Sequence, residues 1–95
     1  MPRVDGTSIT FGIRGPIAPE DVPGLCRRVS SLLERSGAAV AWCELHDVSA
    51  DATAVDALAR MQLAARRHGA QVRLRGASAE LLSLIAFTGL ADVVF

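Results

Sequence analysis

The sequence predicts a single α/β domain in which a mixed, mostly parallel sheet of about four strands is covered by three to four helices. Three observations predict it: strand-like and helix-like periodicities alternate along the chain, glycine and proline separate them, and 51% of the 95 residues are hydrophobic. Alternation of this kind is typical of parallel sheets, because parallel neighbours need a crossover connection. The short length and the lack of any linker-like stretch predict one domain spanning residues 1–95.

The first half of the chain predicts a strand, a helix and a second strand. Ser8–Arg14 alternates between apolar and polar side chains, which indicates a strand with one buried face. Residues 19–36 carry apolar side chains at three- and four-residue steps, and Gly37 is placed to end this helix. Residues 38–45 are almost continuously apolar and include Trp42, so we expect a strand that is buried on both faces.

The second half predicts two further helices and one or two strands. Residues 51–68 show helical periodicity, with Gly69 as the cap of the C-terminal end. Gln71–Arg75 alternates as a short strand, and Ser78 is a good N-cap for a third, apolar helix that ends at residue 89. Residues 93–95 predict a last short strand or a hydrophobic tail.

Composition and charge exclude several classes of protein. No apolar run approaches the roughly 20 residues of a membrane span, and the first residues lack the apolar core of a signal peptide. Ten basic and ten acidic residues give zero formal net charge, which disfavours a nucleic-acid binder. Cys26 and Cys43 lie in apolar stretches without metal-ligand or redox spacing, so we expect two buried, reduced thiols. A cytoplasmic protein without membrane insertion is therefore predicted.

The connection after the second strand is the best candidate for a binding site. Ligands and partners of parallel sheets lie at the carboxyl ends of strands, where the next helix begins, and residues 46–53 form this connection. Asp47, Asp51 and Asp56 place three carboxylates around it. The spacing of a calcium loop, with its glycine and terminal glutamate, is absent. We interpret these carboxylates as solvated loop charges and a helix cap, and predict no metal.

The sequence offers no convincing catalytic constellation. His46 stands at a strand exit and His68 at a helix end, where the helix dipole alone favours a cation. No cysteine, serine or acid is placed by sequence to pair with either histidine. Gly12, Gly15 and Gly24 lack the spacing of a dinucleotide-binding fingerprint. We therefore predict that the chain is not an enzyme and needs no cofactor.

Four short segments, in their order and spacing, are similar to a known family. They are Cys43-Glu44-Leu45, Asp51-Ala52-Thr53-Ala54-Val55-Asp56-Ala57-Leu58, Arg67-His68-Gly69 and Thr88-Gly89-Leu90. Over residues 9–94 the chain resembles the STAS domain, which is named for sulphate transporters and anti-sigma-factor antagonists. The resemblance implies a STAS-like fold and a non-catalytic regulatory module that binds another protein.

The resemblance also implies a position for regulation. In bacterial antagonist members of the family a helix opens with Asp-Ser-Ser-Gly-Leu, and the kinase that binds there phosphorylates the second serine. Thr53 matches that serine and is the implied phosphoacceptor, and the implied partner is an anti-sigma factor or serine kinase protein. A phosphate in this first helical turn would add about −1.5 to −2 charges. The implied partner-binding residues are Asp47, Ser49, Asp51, Ala52, Thr53, Ala54, Val55 and Asp56.

Two departures from the family pattern leave alternatives open. Ala52 and Ala54 stand where the family motif has a serine and a glycine. A docking module needs no phosphoacceptor, so the alternative function is a soluble STAS scaffold subunit of a larger assembly, such as a bacterial lipid-transport ATPase complex. In that case Thr53 would only satisfy a helix end. A homodimer is also left open.

Overall fold

The structure, a computed structural model, describes residues 8–88. Within them it contains three strands, three α-helices and one turn of 3₁₀ helix. In chain order these are β1 (Ser8–Arg14), the 3₁₀ turn (Pro19–Asp21), α1 (Val22–Ser36), β2 (Val40–His46), α2 (Ala52–Arg66), β3 (Gln71–Arg75) and α3 (Ala79–Phe87).

The three strands form one parallel sheet in the order β1-β2-β3. Phe11 pairs with Cys43, and Cys43 pairs with Leu74, so the strand registers are continuous across the sheet. The prediction of an α/β fold with parallel strands is confirmed for residues 8–88. The strand or tail expected at residues 93–95 lies outside the described residues.

All three helices pack on the same face of the sheet. One buried cluster joins Phe11 and Cys43 of the sheet with Val29 of α1, Leu58 of α2 and Leu81 of α3. Right-handed crossovers that advance in one direction across a parallel sheet place their helices on one side. The result is a two-layer domain, and the described helices leave the other face of the sheet uncovered.

Trp42 therefore does not belong to the core, and the prediction that β2 is buried on both faces is wrong. Burial alternates along β2, and Trp42 is half-buried on the open face. Its ring lies 4.1 Å from the guanidinium carbon of Arg75 and 5.6 Å from that of Arg73. Long arginine side chains thus cover part of the indole, which gives cation–π attraction while the charges remain hydrated.

The helix ends follow the sequence closely. The side chain of Asp51 accepts a hydrogen bond from the Ala54 N–H at 2.8 Å, and that of Ser78 accepts one from the Leu81 N–H at 3.0 Å. Both residues are thus N-caps, as predicted. Gly37 ends α1 with a φ of +67°, a conformation that residues with a β-carbon disfavour.

The first and second helices are shorter than predicted. The 3₁₀ turn precedes α1, which begins at Val22 with Pro23 in its first turn, where the missing N–H costs little. The second helix ends at Arg66, and Gly69 follows with a φ of +71°. No described helix is both long and apolar enough to span a membrane.

Side chains from α1 and α2 hydrogen-bond to one residue on each outer strand of the described sheet. The buried amide of Gln62 donates to the Val72 carbonyl of β3 at 3.1 Å and accepts from the Val72 N–H at 2.6 Å. On the opposite edge, the guanidinium of Arg28 donates to the Gly12 carbonyl of β1 at 3.0 Å. Unpaired edge groups promote pairing with other chains, and these bonds occupy some of them.

Candidate functional site

Two glycines from neighbouring connections hold the start of the β2–α2 loop. The Gly15 N–H donates to the His46 carbonyl at 2.7 Å, and a β-carbon on Gly15 would overlap the backbone of Asp47. Gly76 has a φ of +77°, and a β-carbon there would lie 2.9 Å from the Leu45 carbonyl oxygen. The loop is therefore anchored by backbone contacts that only glycine permits at these two positions.

Contacts within the loop fix its path towards α2. Asp47 has a φ of +56°, in the left-handed region, and its carboxylate pairs with Arg14 at 3.1 Å. Val48 packs against the core, and the Ser49 carbonyl accepts from the Asp51 N–H at 3.0 Å. Asp47 and Ser49 are both exposed, so the loop presents polar side chains to solvent.

Thr53 lies in the first turn of α2 and is half-buried. The carboxylate of Asp51 already occupies the Ala54 N–H, whereas the N–H groups of Ala52 and Thr53 precede the first intrahelical hydrogen bond. Asp56 follows Thr53 by three residues, on a neighbouring part of the helix surface. A phosphate on Thr53 would therefore meet backbone donors as well as two nearby carboxylates.

The three carboxylates around the loop have separate partners. Asp47 pairs with Arg14, Asp51 caps α2, and both oxygens of Asp56 accept from Arg60 at 3.0 Å. Within residues 8–88 no group of three or more histidine, cysteine, aspartate or glutamate side chains is arranged to hold a metal ion. The arrangement matches loop charges and a cap, the interpretation given from the sequence.

An apolar groove lies between α2 and α3, beside the start of α2. It has a volume of about 330 Å³ and is lined by Ala52, Val55, Asp56, Ala59, Leu84 and Thr88. Leu84 also lines an adjoining shallow groove, together with Ala50 and Phe87. The Phe87 side chain is 88% exposed, far more than is usual for a residue of this size.

The structure brings together most of the predicted partner-binding residues. The exposed ones are Asp47, Ser49, Asp51, Ala52 and Asp56, and Thr53 is half-buried. Ala54 and Val55 are buried, at 1% and 7% exposure, so Ala54 supports the helix from within and Val55 forms the floor of the groove. Their side chains therefore contribute little exposed surface for a partner.

Sequence reasoning missed the contribution of α3 to this surface. The third helix was predicted as apolar, and within its described residues Leu81 and Ile85 are buried whereas Leu82 and Phe87 are exposed. Leu81 and Ile85 are four residues apart and lie on the buried face of α3, and Phe87 does not continue this spacing. The sequence therefore contained a signal that the Phe87 side chain is exposed.

The two cysteines are free thiols that differ in burial. Cys43 is fully buried, and burial raises the pKa of its thiol to about 12. Cys26 is half-buried, which corrects the prediction of full burial, and desolvation raises its pKa against the opposing effect of Arg60. Thiols with a raised pKa are poor nucleophiles at neutral pH.

The two histidines, His46 and His68, are both exposed.

The chain matches no protein-family model and no curated protein.

Proposed function

We propose that this chain is a non-catalytic regulatory module of the STAS type that acts as an anti-sigma-factor antagonist. In this proposal it docks a kinase-type anti-sigma factor through the β2–α2 loop, the start of α2 and the adjoining groove. Phosphorylation of Thr53 then weakens the complex. The observation that carries the proposal is the position of Thr53 in the first turn of α2, next to an exposed apolar groove.

The groove supports docking of a protein. Protein interfaces combine an apolar centre with a polar rim, and exposed aromatic side chains are frequent anchors. Here Leu84 and Phe87 provide the apolar part, while Asp56 and Glu80 provide an acidic rim. The partner surface is accordingly apolar at its centre.

The charges around Thr53 support a switch by repulsion. A phosphate adds about −1.5 to −2 charges to a region that already carries Asp51 and Asp56. The guanidinium of Arg60 is already paired with both carboxylate oxygens of Asp56. In this proposal the new charge lies at the interface rim and repels acidic groups of the partner surface that face Thr53.

A second candidate function is a soluble scaffold subunit of a larger assembly, such as a lipid-transport ATPase complex. It is favoured by the half-burial of Thr53 and by the alanines on either side of it, which provide no second hydroxyl. A permanent subunit needs the groove and the loop, but it needs no phosphoacceptor. Stable co-purification with an ATPase subunit would favour this function over the first.

Substitutions at Thr53 are expected to separate the two functions. The probe is a purified kinase-type anti-sigma factor encoded in the same genome, with affinity measured by isothermal titration calorimetry. Thr53→Ala is expected to bind within about twofold of the unsubstituted chain, because docking needs no hydroxyl. Thr53→Asp is expected to weaken binding at least about tenfold, equivalent to about 1.4 kcal/mol. Equal binding by both variants would contradict the switch and favour the scaffold subunit.

Intact-mass measurement after incubation with the same kinase and ATP tests the acceptor directly. We expect the mass of one phosphate on the unsubstituted chain and none on Thr53→Ala. Thr10→Ala is the matched control, because Thr10 is an exposed threonine on β1 and should leave phosphorylation unchanged. Phosphate that persists on Thr53→Ala would assign the acceptor elsewhere.

A further inference from the structure

A second cleft lies between α1 and α2. It has a volume of about 250 Å³. Pro23 and Cys26 line it from α1, and Arg60, Leu63 and Arg67 line it from α2. Leu63 is 53% exposed, so a large apolar side chain stands uncovered between two guanidinium groups.

The surroundings of this cleft are basic. Arg60 and Arg67 line it from α2, and Arg27 follows Cys26 on α1. Burial raises the pKa of the Cys26 thiol, and the positive charges of Arg60, Arg67 and Arg27 counteract that rise. The one carboxylate that acts on the thiol is Asp56, which is paired with Arg60. Two guanidinium groups thus line the cleft, in a chain of zero formal net charge.

We propose that the α1–α2 cleft binds an acidic amphipathic helix of a partner protein. An apolar side chain of that helix covers Leu63 and fills the cleft, while a carboxylate of the helix pairs with Arg67. Two packed helices present a groove between them, and an amphipathic helix is a common occupant of such grooves.

Charge and shape together select this occupant. The excess of guanidinium groups attracts carboxylates, and charge complementarity of this kind raises the association rate and fixes the partner. The exposed apolar side chains of Pro23 and Leu63 add burial that a purely ionic ligand would not use. A nucleic acid is disfavoured, because the cleft offers no aromatic platform and the chain has no net positive charge.

This surface is separate from the groove proposed to bind the anti-sigma factor. That groove is formed with α3 and has an acidic rim, whereas the α1–α2 cleft is basic. The two surfaces would let one small domain hold two partners. The inference does not depend on the proposed function and stands if that function fails.

The alkylation rate of Cys26 shows whether the α1–α2 cleft is occupied. Cys26 lines the cleft, whereas Cys43, the other cysteine, is fully buried.

The probe is a synthetic amphipathic peptide of about 15 residues with leucine along one face and glutamate elsewhere. Its control is the same peptide with lysine in place of every glutamate. The measurement is the rate of Cys26 alkylation by iodoacetamide in folded protein, followed by intact mass.

Saturating acidic peptide is expected to slow the alkylation of Cys26 at least about fivefold, whereas the lysine peptide leaves the rate unchanged. The double variant Leu63→Ser with Arg67→Gln is expected to raise the Kd of the acidic peptide at least about tenfold. Arg73→Gln, on the open sheet face, is the matched control and should bind as the unsubstituted chain does. Phe87→Ser should also bind unchanged, which keeps this surface distinct from the α2–α3 groove.

Three results would overturn the inference. Equal protection by both peptides, or by neither, would show that charge does not select the occupant. Unchanged binding by the double variant would place the peptide elsewhere. Protection that rises with protein concentration in the absence of peptide would assign the cleft to a second copy of this chain.

Discussion

Raising the pH from 9 to 12 is expected to lower the free energy of unfolding by about 4 kcal/mol, because Cys43 stays protonated in the folded chain. Burial raises the pKa of this thiol from 9.0 to about 12. Above pH 9 the unfolded chain loses the proton while the folded chain retains it. The stabilisation is complete below pH 9 and declines as the pH rises towards 12, by about 1.4 kcal/mol for each pH unit.

The composition leaves few other side chains that titrate between pH 9 and 12. The chain has no tyrosine and no lysine, the other side chains that ordinarily titrate in this range. Cys26 and Cys43 are the only cysteines. Cys26 also has a raised pKa, so its titration changes stability in the same direction.

Urea unfolding at a series of pH values measures the effect, and Cys43→Ala is the decisive variant. It should lose most of the decline above pH 9, whatever its stability at neutral pH. Cys26→Ala should retain most of the decline. A decline that is equally steep in the Cys43→Ala variant would show that the buried thiol is not its source.

Gln62→Ala is expected to destabilise the fold by about 3–4 kcal/mol. The amide of Gln62 is 1% exposed and makes both a donated and an accepted hydrogen bond with the backbone of Val72. The substitution leaves the N–H and the carbonyl of Val72 without these partners, and it also leaves a cavity. Chemical denaturation at neutral pH measures the change.

Two further variants give this prediction its controls. Gln71→Ala removes the other glutamine of the chain, which is exposed on β3, and it should change stability by less than about 0.5 kcal/mol. Gln62→Glu keeps the shape of the side chain but sets a carboxylate against the Val72 carbonyl. Burial and that contact raise the pKa of the new carboxyl, so this variant should recover stability as the pH falls. Equal effects of Gln62→Ala and Gln71→Ala would contradict the role of Gln62 at the sheet edge.

Local patterns were sufficient to predict most of the secondary structure. The alternation of Ile9, Phe11 and Ile13 predicted β1 with its observed bounds, because one face of that strand packs on the core and the other does not. Asp51 and Ser78 marked two helix starts, since their side chains satisfy N–H groups of the first turn.

The faces of the sheet were harder to predict, and Trp42 shows why. Val40 and Trp42 alternate with Ala41 and Cys43, so β2 is apolar on both sides and its composition resembles that of a strand covered on both faces. Which face the helices cover depends on the direction of successive crossovers, and no residue of β2 encodes that direction. Contacts from Arg75 cover the indole instead.

The candidate site could be predicted in part. The position of Thr53 at a helix start followed from the cap and the periodicity around it. The groove did not, because it depends on the spacing between α2 and α3 and on the exposure of Phe87. The close approach of Gly76 to the backbone of Leu45 joins residues far apart in the chain, so local sequence patterns do not predict it.

The most direct test of the proposed function is the binding of a kinase-type anti-sigma factor from the same genome to Phe87→Ser. This side chain is 88% exposed, so its replacement should leave the thermal unfolding midpoint nearly unchanged. We predict at least about tenfold weaker binding, because an exposed aromatic anchor beside the groove is lost. Leu82→Ser, which removes a 48% exposed leucine of the same helix outside the groove, should bind normally. Unchanged affinity in Phe87→Ser, or equal losses in both variants, would contradict docking at the start of α2.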